Sequence, residues 1–141
     1  MLGIQAKEIF VNLPVKDLNK TKELFTSIGF EFNPQFTNEQ GACLILGENL
    51  YAMLLVESFF KDFTKKQIPD TANNAEAITC LMVDSREKVD EIVNKALAAG
   101  AKPFNDPVDH GFMYLWSFQD LDGHLWEVGF MESGASPPQE N

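Results

Sequence analysis

The sequence predicts an α+β fold built from two pseudo-symmetric βαβββ modules, forming a curved mixed sheet around a cup. Two observations predict it. Val15-Lys16-Asp17, a stretch of helical periodicity and Ile28-Gly29-Phe30 are matched later by Met82-Val83-Asp84, a second helical stretch and Ala99-Gly100-Ala101. In each half a β-type run precedes this unit, and a short run and a hairpin pattern follow it. Two open sheets, each apolar on one side, bury those faces by pairing, which can leave a cup between them. The repeats span about 8–56 and 77–131, joined by a linker at 57–76 within a single domain of 1–132. Residues 133–141, with two prolines and polar neighbours, read as a flexible tail.

Each element has a local reason. Ile9 to Leu13 reads as a strand, and Pro14, with no N–H for a ladder, ends it or puts it at an edge. Asp17 suits the N-cap of a helix whose apolar side is Leu18, Leu24, Phe25 and Ile28, and Gly29 suits its C-terminal stop. Phe30 to Phe36 resumes as strand, weakened by Pro34. Ala42 to Leu46 and Leu50 to Val56 are apolar runs joined at Gly47-Glu48-Asn49, a hairpin pattern. From Glu57 to Glu76 the chain is polar and predicts a short helix and an irregular connection, anchored by Phe59, Phe60 and Phe63. Ala77 to Val83 then reads as a buried strand. Asp84-Ser85 with Glu87 gives capping residues, and Val89, Ile92, Val93, Ala96 and Leu97 keep helical spacing up to Gly100. Ala101 to Phe104 predicts a short strand and Asn105-Asp106-Pro107 a turn. Phe112 to Phe118 predicts a strand with Phe112, Tyr114, Trp116 and Phe118 on one face, and Asp122-Gly123 a tight turn into the last strand.

Composition narrows the function. Eleven Lys and Arg against 21 Asp and Glu give a net charge of −10, which disfavours nucleic acid and anionic membranes as partners. No apolar run approaches the roughly 20 residues of a membrane helix, and the first residues lack the apolar core of a signal peptide. The expectation is a soluble, cytoplasmic protein. Cys43 and Cys80, inside apolar runs, read as buried reduced thiols rather than a disulfide or a metal pair.

Glu127 stands out. A carboxylate between Trp126 and Val128, in a strand rich in aromatics, is unfavourable for propensity and for burial. It either faces water or acts chemically, as a polar anchor or general base in an apolar pocket. The only histidines are His110, in the loop before the aromatic strand, and His124, in the turn. Of the two, His110 has the better claim to rim a pocket. The aromatic row reads as core packing, with Tyr114 and Trp116 as the members that could line a ligand pocket.

Four stretches carry a family resemblance. They are Leu13-Pro14-Val15-Lys16-Asp17-Leu18, Ile28-Gly29-Phe30, Leu97-Ala98-Ala99-Gly100-Ala101 and Asp120-Leu121-Asp122-Gly123-His124-Leu125-Trp126-Glu127-Val128. Their order on a repeated module resembles the vicinal oxygen chelate superfamily, which includes glyoxalase I, bleomycin- and fosfomycin-resistance proteins and extradiol dioxygenases. Leu121 stands where the family's Asp-Pro-Asp-Gly motif has proline. Asp109-His110-Gly111-Phe112-Met113-Tyr114 is similar to a bacterial branch labelled predicted lactoylglutathione lyase. The resemblance implies a homodimer with a cup that binds a small molecule, and in metal-using members one divalent ion held by the first and last strand of each module. Those positions fall on Phe10, Leu54, Ile78 and Glu127, so only Glu127 can ligate. Asn12, on the face of Phe10, and Ile78 join Phe10 and Leu54 as candidate pocket residues. The expectation is therefore an apolar small-molecule cup without a metal cofactor. The alternative is a metal-dependent lactoylglutathione lyase-type enzyme using Zn, Ni, Fe or Mn, with Glu127 as catalytic residue and ligand.

Overall fold

The computed structural model describes residues 3–132, so the expectation for 133–141 lies outside the described residues. The chain divides into two compact units, one running to Asp70 and the other starting at Thr71.

The first unit is built in the order β1 (Ile9–Val15), α1 (Leu18–Ile28), β2 (Glu31–Asn33), β3 (Gly41–Gly47), β4 (Leu50–Val56) and α2 (Glu57–Phe60). Its sheet has the order β1-β4-β3-β2, with β1 parallel to β4 and the other pairs antiparallel. Asp17 caps α1 by accepting from the Lys20 N–H at 3.1 Å, an interaction that typically contributes about 1 kcal/mol. Gly29 stops the helix at φ 118°, where a Cβ would be strained. Leu18, Thr21, Leu24, Phe25 and Ile28 form the buried side of α1, and Val15, Ala42, Leu44, Ala52 and Leu54 are buried residues on one face of its sheet. The strand expected from Phe30 to Phe36 stops at Asn33. Pro34 opens a 3-10 turn over Pro34–Phe36, and the Asn33 side chain caps it by accepting from Gln35 N–H.

The second unit repeats the plan with β5 (Ile78–Val83), α3 (Arg86–Ala98), β6 (Val108–Asp109), β7 (Met113–Gln119) and β8 (Leu125–Met131). The order is β5-β8-β7-β6, again with the first pair parallel. Ser85, rather than Asp84, is the N-cap of α3, accepting from Lys88 N–H at 3.0 Å. The strand expected from Ala101 to Phe104 is reduced to one bridge, Lys102 to Gln119, because Pro103 cannot extend a ladder. Its place beside β7 is taken by β6. Both units are thus four-stranded mixed sheets covered by a helix, and neither sheet closes into a barrel.

Register partners share a face of their sheet. In the second unit Trp126, Val128, Phe118 and Trp116 stand on the face that α3 covers, together with Tyr114, whose hydroxyl donates to Asp90 of α3 at 2.6 Å. The alternate residues Ile78, Cys80, Met82, Leu115, Ser117, Gln119, Leu125, Glu127 and Gly129 stand on the open face. Cys80 is exposed, against the expectation of burial, because it lies on that open face in β5, the edge strand; Cys43 is buried as expected.

Candidate functional site

The turn between β7 and β8 sets where Glu127 stands. Asp120 is buried, and its carboxylate accepts from the backbone N–H of Asp122 at 2.9 Å and of His124 at 3.0 Å, and from the Trp126 indole at 3.0 Å. These bonds close the turn and fix Trp126 against the helix side, which leaves Glu127 on the opposite face. Burial pushes the Asp120 carboxyl above the ordinary carboxylate range, opposed by nearby His124 and by its hydrogen bonds. Gly123 has φ 84°, and the Thr71 hydroxyl donates to the Asp122 carbonyl at 2.5 Å, so the start of this unit is fastened to the same turn. The first aspartate of the family-like motif is therefore a structural residue.

On the open face, Cys80, Glu127 and Ser117 form one row across β5, β8 and β7, since Cys80 is the register partner of Glu127 and Glu127 that of Ser117. The Cys80 thiol donates to the Met82 thioether at 3.7 Å and stands beside Glu127, its partner in register. Burial first, then the neighbouring Glu127 carboxylate as acceptor and as negative charge, push the thiol up to about 11, so it stays protonated at neutral pH. Ser117 is 1% exposed, and its hydroxyl finds no hydrogen-bond partner among the described residues. A buried hydroxyl left in that state costs about 1–3 kcal/mol. The row on one side is Ile78 and Leu125, ending at Gln119 on β7; the row on the other is apolar, Met82 and Leu115 with Gly129 between them. A Cβ at Gly129 would stand 2.5 Å from Leu115 and 3.0 Å from the Met82 sulfur, so that row is already filled. Ile78 and Met82 are 53% and 50% exposed.

The open face of the first unit is apolar too. Phe10 stacks on Tyr51 with centroids 4.7 Å apart, and Asn12 pairs in register with Met53. Internal symmetry identifies the counterpart of Glu127. Val15 pairs with Val56 as Val83 pairs with Phe130, and three residues earlier Asn12 pairs with Met53 as Cys80 pairs with Glu127. The counterpart is therefore Met53. Leu54, one residue on, is fully buried on the opposite face.

The remaining sequence-derived candidates are placed as follows. Phe10, Asn12, Ile78 and Glu127 stand on open faces. Tyr114 and Trp116 stand on the helix side, away from Glu127. His110 is exposed in the loop after β6, stacked on Phe112 at 6.2 Å. Arg86 holds that loop by donating to Asp109 and to the Gly111 carbonyl, each at 2.9 Å. Cys80 and Ser117 were missed, although period-two alternation from Glu127 and from Trp116 marks both as open-face residues.

The four positions that the resemblance designates for a divalent ion do not fit one. Phe10 and Ile78 carry no donor atom, Leu54 is buried on the wrong face and is apolar, and Glu127 supplies a single carboxylate. Among the described residues no group of three or more His, Cys, Asp or Glu side chains is placed to hold a metal ion.

The family model for the glyoxalase/bleomycin resistance protein/dioxygenase superfamily matches residues 9–128, and the chain belongs to that superfamily. Its fold recurs in a hypothetical protein from S. aureus, at 26% identity and a TM-score of 0.75, covering 89% of this chain and 95% of that one. A glyoxalase-related enzyme from Fulvimarina pelagi is 16% identical with a TM-score of 0.74, covering 90% and 88%. The fosfomycin resistance protein FosX from Listeria monocytogenes is 21% identical with a TM-score of 0.62, covering 100% and 97%. No curated protein matches the sequence.

Proposed function

We propose that this chain binds a small, largely apolar organic molecule against the open face of its second sheet, with Glu127 as polar anchor. It does so without a divalent ion at the four family positions. One observation carries the reading: a lone carboxylate stands among half-exposed apolar side chains where a metal-using relative needs several donors. Water gains nothing from such a face, whereas an amphipathic ligand covers the apolar rows and satisfies the carboxylate together. The working form is a homodimer in the cytoplasm, the assembly that the family resemblance implies.

A thermal-shift screen of aromatic and aliphatic metabolites and antibiotics tests the reading. A ligand at 100 times its dissociation constant should stabilise the protein by about 2.7 kcal/mol. Turnover of the methylglyoxal–glutathione hemithioacetal that depends on added metal would replace this reading with the lyase one.

A further inference from the structure

We propose that Ser117 and Glu127 form a two-point seat for the ammonium group of a cationic amphiphile, a primary amine on an apolar body. This rests on the binding reading above and names the ligand class. The Ser117 hydroxyl is almost wholly buried and unpartnered among the described residues, directly across the strand pair from Glu127. A primary ammonium has three donors and no acceptor. It can give one N–H to the Glu127 carboxylate and one to the Ser117 oxygen, which supplies the partner that the hydroxyl lacks among the described residues. Cys80 occupies the third side of Glu127 as a neutral thiol, so it neither repels nor neutralises a bound cation. Sign is set by the same carboxylate and by the net charge of −10, which disfavour an anionic head group. Met82, Leu115, Ile78 and Leu125 flank the seat and take the apolar body; thioethers adapt to varied shapes.

Three probes of similar size and different head group test it: 2-phenylethylamine, 2-phenylethanol and 3-phenylpropionate. Each is titrated into the isotope-labelled full chain, and amide shifts are followed by NMR at pH 7. The amine should bind about tenfold tighter than the carboxylate, the scale of one charge-assisted contact, with shifts centred on Cys80, Ser117 and Glu127. Glu127→Gln should erase the preference for the amine and leave the alcohol within about twofold, since it removes only the charge. Ser117→Ala should weaken the amine several-fold without lowering the thermal midpoint, because it deletes an unsatisfied hydroxyl. Should it fail to fold, Ser117→Cys keeps the shape of the side chain at a slightly larger volume and supplies a poorer acceptor. Equal binding of amine and carboxylate, or no effect of either substitution, would overturn the seat. Alcohol binding with no preference for the amine rejects the seat and leaves the apolar-face reading standing. Binding by none of the three rejects both.

Discussion

Burial first and Glu127 second raise the Cys80 thiol, so Glu127→Gln should make Cys80 more reactive. Moving a thiol from its ordinary 9.0 to about 11 lowers its thiolate fraction at pH 8 about 100-fold. A more basic thiolate is also the better nucleophile, which returns about threefold for each tenfold lost. The net expectation is alkylation of Cys80 by iodoacetamide about tenfold slower than that of an unperturbed exposed thiol. Burial is the larger cause and survives the substitution. Glu127→Gln should therefore recover only part of the deficit, a rise of about threefold. Peptide-resolved mass spectrometry separates Cys80 from buried Cys43. The rate in the unaltered protein should keep climbing with pH towards 11. A plateau near pH 9 would refute the raised thiol, and a Glu127→Gln rate equal to the unaltered one would refute the part that Glu127 plays in raising it. The same shift has a stability consequence. The folded thiol keeps its proton to higher pH than the unfolded one, so its contribution is intact below the unfolded value and lost as pH rises through about 11.

Other predictions follow from the turn, the helix face and the loop. Asp120→Ala should destabilise the chain by about 2–4 kcal/mol in urea unfolding, because it strips the buried Trp126 indole and two backbone N–H groups of their acceptor. Tyr114→Phe should cost only about 1 kcal/mol, the net worth of its bond to Asp90, and leave ligand binding unchanged, since Tyr114 faces α3. The Gly111 backbone N–H first, and Arg86 second, hold the Asp109 carboxyl below the ordinary carboxylate range. That stabilisation is present above the unfolded value and lost as pH falls through the lower folded one. A carboxyl-carbon NMR titration should show it, with Arg86→Leu reversing only part of the depression.

Much of the fold was legible because its punctuation is local. Asp17 and Gly29 bound α1 as their side-chain and backbone preferences require, and the matching unit from Val83 to Gly100 disclosed the second module. The misses share a cause. Prolines at 34 and 103 removed N–H groups that two short strands needed, and only the assembled ladder shows where pairing resumes. Within the site, Glu127 was legible as an isolated carboxylate, but which face it shares was not, because parity becomes a face only when a helix covers one side. Tyr114 and Trp116 were assigned to a pocket without that information, and Leu54 missed its open-face neighbour Met53 by one residue, enough to reverse its side. Cys80 looked buried because its run is apolar, while the strand that carries it is an edge.

Glu127 is proposed to serve an organic ligand and not a resident divalent ion. Metal analysis of the full chain, purified without chelator and then titrated with zinc and nickel, tests it most directly. The expected result is far less than one ion per chain and no binding that responds to Glu127→Gln. Near-stoichiometric zinc or nickel, lost in the Glu127→Gln protein, would contradict it.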